Sequence, residues 1–255
     1  ATGTVVVQGV VGSLDVDESD AVITDVDHVS LSSTAGDLTI TGLVNANESI
    51  SLAGNNLSVL SESAIKLRNQ EDVASAALTV DAGGVFFVDE SATTLDRALV
   101  EAAGSIQINA GSVLIEGVLR TTKADARMLI NSIGNIVITG EVTASADLDV
   151  RAGVPSDWTA AELAAADVAS ADLSEGIVQV SGEGSLDADG SLDVVAGSDV
   201  SISGESSLTG DTRSVPDPVV TQKATTISVV TGSRQVASGT MQVPVVSWTT
   251  TTATR

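Results

Sequence analysis

Aliphatic and polar residues alternate over short stretches along most of this chain, and each stretch is closed by Gly, Asn or Ser. In residues 104–119, Ile106 and Ile108 alternate with Ser105, Gln107 and Asn109. After Ala110-Gly111 the alternation restarts with Val113 and Ile115, until Gly117 interrupts it. A period of two turns one strand face to a core and the other to water, so this stretch predicts two short strands and two corners. The same phrase of Gly, polar, aliphatic, polar and aliphatic or small residue returns at 12–16, 36–42, 134–140, 184–190 and 190–194. A phrase reiterated on this scale marks a repeat architecture.

Residues 5–11 form a continuous, largely β-branched run, and strands are expected there and at 13–16 and 21–26. Between 29 and 67 the aliphatic pairs Val29/Leu31, Leu38/Ile40, Ile50/Leu52, Leu57/Val59 and Ile65/Leu67 are separated by Ser-Thr-Ala-Gly, Asn-Ala-Asn-Glu, Gly-Asn-Asn and Ser-Glu-Ser, all corner-forming sequences. The pairs resume at Val178/Val180, Leu192/Val194 and Val200/Ile202. A sandwich or meander calls for longer strands and repeated Asn-Gly or Asp-Gly turns, and only Asp189-Gly190 is of that kind. Short strands with few-residue corners fit an all-β chain folded as a right-handed parallel β-helix, or β-solenoid. Gly104 to Gly134 spans 30 residues and Gly134 to Gly190 spans 56, which suggests coils of about 28 residues and roughly seven coils over 1–210.

Two helical insertions are expected. One lies near 89–103, where Leu95, Ala98, Leu99 and Ala102 have helical spacing. The other is 155–173, where Thr159 and Glu162 form a capping-box pattern ahead of an Ala-rich run. A helix cannot sit within a stack of strands, so the second must project from a corner or cap a face, with Trp158 as a candidate anchor. The character of the chain changes near 211–218. Residues 211–255 are Thr/Val-rich and carry Arg213, Lys223, Arg234 and Arg255 against Asp211 and Asp217, a net +2 that leaves −25 on residues 1–210. This divides the chain into a β-helix over 1–210 and a C-terminal β segment over 211–255. The segment's long, mildly basic strands suit donation to the acidic coils of a neighbouring subunit, through Arg213, Lys223, Arg234 and Trp248.

Composition narrows the chemistry. Of 255 residues 43% are hydrophobic, nearly all Val, Ile, Leu and Ala, with no Tyr, two Phe (Phe86, Phe87) and two Trp (Trp158, Trp248). Thin aliphatic side chains suit closely stacked layers. Cysteine is absent, so disulfides and thiolate metal sites are excluded. The net charge of −23 disfavours nucleic acid and anionic membrane as partners, since both are polyanions. No apolar run approaches the roughly 20 residues of a membrane span. The chain opens on Ala-Thr-Gly without Met and reads as a processed chain or a piece of a longer one, with the composition of a bacterial surface or secreted protein.

His28 is the only histidine, so a nucleophilic triad has little to draw on, and single glycines at corners make no phosphate loop. Clustered Asp residues could serve polysaccharide cleavage, but the aromatic platforms for sugar stacking are scarce, and no enzyme is expected. Calcium is the better use of Asp15, Asp17, Asp187, Asp189 and Asp193. Stacking at about 4.8 Å would bring carboxylates into rows that need a hard cation, or interleaved Ser, Thr or Asn, to relieve repulsion. The bland alternative is a solvated acidic face.

The Gly-x-aliphatic-x-aliphatic-x-Gly phrases across 12–210 resemble the β-helical shafts of filamentous-haemagglutinin-type adhesins and other giant bacterial surface proteins. That resemblance implies a structural module of an extracellular fibre, sheath or adhesin. Its partner would be itself or neighbouring repeats, joined head to tail by strand pairing. Polysaccharide binding at the cell surface is the alternative, with surface glycan as partner.

Overall fold

The computed structural model describes residues 3–12, 26–69, 75–90, 97–164, 168, 172–214 and 228–231. It is almost entirely β, and every strand pairing among the described residues is parallel. The chain visits three columns of strands in turn. A representative pass runs through Met128–Ser132 in the first column, Ile136–Ile138 in the second and Glu141–Ala144 in the third. It then returns to the first column at Leu148–Ala152. The third column forms a nine-stranded sheet of its own. The first two are joined into one 14-stranded sheet because Ala77–Val88 and Ser105–Ile115 each run unbroken through both.

Register stacks like on like. Val29, Ile50, Leu78, Ile106, Met128, Leu148 and Leu192 follow one another in the first column, and all are buried. The inward rows of all three columns meet in one hydrophobic cluster made almost wholly of Val, Ile, Leu and Ala. Among the described residues Phe86 is the one ring buried within it, stacked between Leu57 and Val113. The aliphatic pairs anticipated between 38 and 67 are the inward residues of successive strands. Residues 5–11 are two strands rather than one run, Val5–Val7 and Val10–Gly12, with Gly9 between them at φ +87°.

The expected pass length is corrected. Successive residues of the Val29–Leu192 row are 21, 28, 28, 22, 20 and 44 positions apart, so an uninterrupted pass takes only 20–22 residues. Glycine phrases misled because they mark strands, not passes. Gly104 and Gly190 open first-column strands, Gly134 opens a second-column strand and Gly184 a third-column one. The glycines recur because corners stack closely. A Cβ on Gly111 would lie 2.7 Å from the Gly83 and Gly84 carbonyl oxygens, and one on Gly140 would collide with the carbonyl of Gly117.

Longer passes carry their excess at corners. Two 28-residue intervals in the row, from Ile50 to Leu78 and from Leu78 to Ile106, contain residues 70–74 and 91–96, which lie outside the described residues. The helix expected across 94–102 is not formed at its end: Leu99–Ala102 is a strand between Ala64–Leu67 and Val118–Thr121, with Val100 and Ala102 buried. Two neighbouring strands offer its backbone a full set of partners, which overrides local helical spacing. Residues 91–96 lie outside the described residues. The two strands anticipated in 104–119 are one, with a register shift between Ala110 and Ser112 in place of the first corner. Two pieces of the C-terminal stretch pair within the chain, Thr212–Ser214 in the first column and Ser228–Thr231 in the third.

Ile108 sits at 0% exposure in the middle of the stack, so Ile108→Ala is expected to lower unfolding free energy by about 2–5 kcal/mol. Gly140→Ala, which inserts a methyl against backbone, should cost roughly 1–3 kcal/mol. Urea unfolding followed by circular dichroism measures both, and an unchanged midpoint for either would contradict the stacking.

Candidate functional site

The corner between the first and second columns is three residues long after Met128–Ser132 but is expanded after Leu148–Ala152, where the chain does not re-enter the second column until Ile177–Val180. Gly153 starts the departure at φ +85°, and the Ser132 carbonyl accepts from both Gly153 and Val154 N–H at 2.9 and 2.8 Å. The expected helix is present as one turn, Ala160–Leu163, and its capping box is formed. Glu162 N–H donates to the Thr159 hydroxyl at 3.4 Å, while Thr159 N–H and Oγ1–H donate to Glu162 Oε2 at 2.6 and 2.7 Å. Those two bonds hold the Glu162 carboxyl below its ordinary range.

The insertion folds back over the outward face of the first column, where equivalent positions in successive passes are Asp81, Asn109, Asn131 and Arg151. Asn109 Nδ2 donates to Asp81 Oδ1 at 2.9 Å and Asn131 Nδ2 donates to Asn109 Oδ1 at 3.1 Å. The carbonyl of Leu163 accepts from Asn131 Nδ2 at 3.3 Å and from Arg151 Nη1 at 3.1 Å, which ties the helix to the ladder. A cleft of about 240 Å³ remains between them, with Asp81, Asn109 and Asn131 on the strand side and Pro155, Trp158 and Leu163 on the insertion side.

Beside this ladder lies a charged cluster. Arg151 is 1% exposed and its Nη2 stands 3.7 Å from Asp149 Oδ1, while Arg127 Nη2 reaches Asp149 Oδ2 at 3.1 Å and its Nε reaches Asp147 Oδ2 at 3.5 Å. Burial raises the Asp149 carboxyl above its ordinary range, against the opposing pull of Arg151 and Arg127. Asp147 is lowered, first by the Ser191 N–H bond at 3.0 Å, then by the Ser191 hydroxyl at 2.8 Å, with help from Arg127.

The residues singled out from sequence are dispersed. Asp187 lies on the outward face of Ser185–Ala188 between Thr143 and Thr209, and Asp189 follows at the next corner. Partial burial, then Asp189 and Glu141, raise the Asp187 carboxyl. Asp193 stands on another column, in register with Asp149. Asp15 and Asp17 lie outside the described residues. Among the described residues no group of three or more His, Asp or Glu side chains is placed to hold a metal ion. Arg213 falls on Thr212–Ser214, in register with Leu192, and Lys223, Arg234 and Trp248 lie outside the described residues. His28 is exposed and bonds Ser49 through Nδ1 at 2.9 Å.

Sequence reasoning missed the Asp81–Asn109–Asn131–Arg151 ladder, although a signal existed. Each follows an aliphatic residue and precedes a small one, in Val80-Asp81-Ala82, Ile108-Asn109-Ala110, Ile130-Asn131-Ser132 and Val150-Arg151-Ala152. No protein-family model, curated protein or solved structure matches the chain.

Asp147→Ala removes an acceptor of two bonds from a carboxylate whose side chain is 41% exposed. The expected loss is about 1 kcal/mol at neutral pH, at the low end for charged hydrogen bonds because solvent screens the site. Since folding lowers this pKa, the contribution is present above the unfolded value of about 3.9 and vanishes as pH falls through the folded one. Parent and variant stabilities should therefore converge in acid unfolding series once pH falls below the lowered folded pKa; a constant gap would point to a loss of packing instead.

Proposed function

We propose that the chain is a structural module of an extracellular bacterial fibre, sheath or adhesin. In this reading its passes close around the shared core as a right-handed parallel β-helix, and modules join head to tail by strand pairing. The observation that carries the reading is the continuous in-register stacking of all three columns, which makes a rod of the nine-stranded column about 40 Å long at ordinary strand spacing. Parallel crossover connections favour the right hand. A stack of this kind gains core with every pass and has natural points of growth only at its ends.

The first described end is suited to addition. Among the described residues Val5–Val7 pairs on one side only, with Leu38–Ile40. Val5 N–H donates to the Asp37 carbonyl and the Val7 carbonyl accepts from Thr41, so by alternation the Val6 N–H and carbonyl face the open edge. Val6 is 51% exposed. A net charge of −23 opposes side-by-side association of such rods, which leaves the strand edges as the preferred contacts. Composition supports the extracellular setting: no cysteine, an acidic surface and few aromatics.

Negative-stain electron microscopy of the purified chain, with and without millimolar calcium, tests the assembly. Ordered rods longer than one module are expected. Val6→Pro, which removes an edge donor while leaving the Val5 and Val7 bonds in place, should reduce them to single modules with unchanged circular dichroism. Isolated particles from the parent chain, or undiminished rods from the variant, would overturn head-to-tail pairing.

A further inference from the structure

The cleft under the Ala160–Leu163 helix is built in a way that packing alone does not require. Asp81 is a carboxylate and can only accept, so Asn109 must turn its amide nitrogen toward it and its oxygen toward the next pass. Asn131 must then turn its own nitrogen to Asn109, and it also donates to the Leu163 carbonyl. Both donor positions of Asn131 are thereby used, and its oxygen is left over. Asn131 is 2% exposed, lines the cleft, and its Oδ1 has no hydrogen-bond partner. A buried acceptor without a donor is costly, and natural folds seldom leave one idle.

From this geometry we infer that the cleft is a binding subsite for a neutral pyranose ring. The ligand must bring hydrogen-bond donors, because Asn131 Oδ1 and the Asp81 carboxylate are both acceptors. It must also carry an apolar face, because Trp158, Pro155, Leu163, Val154 and Ile133 line the same cleft. A sugar ring combines the two, with hydroxyls at its rim and C–H bonds on a face that stacks against indole. Anionic sugars are disfavoured by the Asp81 carboxylate. A quaternary organic cation is disfavoured because it brings no hydrogen-bond donor for Asn131 Oδ1. At about 240 Å³ the cleft is smaller than the roughly 300–1,000 Å³ of drug-sized pockets and matches one ring, either free or within a chain that continues along the open side. The inference goes beyond the structural role and holds whether or not modules polymerise.

Saturation-transfer NMR on the full chain tests it, with the methyl glycosides of glucose, galactose, mannose and N-acetylglucosamine at millimolar concentration. Methyl glucuronide and tetramethylammonium serve as comparisons, and a soluble polysaccharide of the preferred sugar separates free from polymeric ligand. At least one neutral glycoside should show transfer centred on one ring face. Its affinity should fall at least about tenfold in Trp158→Ala, and likewise in Asp81→Asn, which keeps the oxygen that orients Asn109. Melting curves matching the parent show that the variants are folded. The inference is overturned if no neutral glycoside shows transfer, if transfer persists undiminished in folded Trp158→Ala, or if tetramethylammonium or the glucuronide displaces the sugar.

Discussion

Lateral hydrogen bonding between parallel strands in fixed register is the constraint from which the rest of this structure follows. Each strand is held to its neighbours in the passes before and after it, so every residue spends its surroundings on its own equivalents. For inward rows this is favourable: Ile106, Met128 and Leu148 lie one above another and bury their faces together. The same constraint excludes large rings from most of the core, because a ring must fit within one strand spacing of its equivalents. At corners it brings backbone against backbone, which is why Gly134 and Gly140 sit over Gly111 and Gly117.

Outward rows face the opposite problem, since like charges would stack as readily as like aliphatics. The chain answers by interleaving. Asp37 accepts from Asn56 Nδ2 at 2.9 Å, Asp89 from the Ser61 hydroxyl at 3.1 Å and Asp147 from the Ser191 hydroxyl at 2.8 Å, each across a pass boundary. In the third column, Lys66, Glu101 and Arg120 alternate in sign along one row, with Arg120 Nε 2.6 Å from Glu101 Oε2. Thr143 and Thr209 flank Asp187 in the continuation of that row. A chain of net −23 can therefore stack much of its surface with carboxylates set beside donors or cations, and where two do stand in register, Asp149 and Asp193, Arg127 and Arg151 lie against Asp149.

Among the described residues the added lengths of chain fall at corners and leave the ladders paired, while the register shift between Ala110 and Ser112 falls inside a strand. The described part of one such insertion, residues 155–164, folds back over Asn131 and Arg151 and converts a plain outer row into a cleft with one wall of strand and one of loop. The rigid stack fixes the polar groups while the insertion supplies the aromatic one. A scaffold of this kind can carry recognition at a corner without disturbing the shaft proposed for the chain as a whole.

The sequence by itself determined the local elements, because strand alternation has a period of two and is visible over four or five residues. It placed the strands at Leu38/Ile40, Ile50/Leu52 and Ile65/Leu67, the all-β class, the corner glycines and the Thr159–Glu162 cap. Only the tertiary structure decided the pass length, since three similar corners per pass give the same glycine phrase and their order around the stack is not written in it. Leu99–Ala102 likewise became a strand because neighbouring strands satisfied its backbone, a contact invisible to local spacing. The cleft was beyond sequence reasoning for the same cause. Asp81, Asn109, Asn131 and Trp158 are distant along the chain, and only lateral pairing at intervals of 28 and 22 residues sets the ladder beneath the insertion.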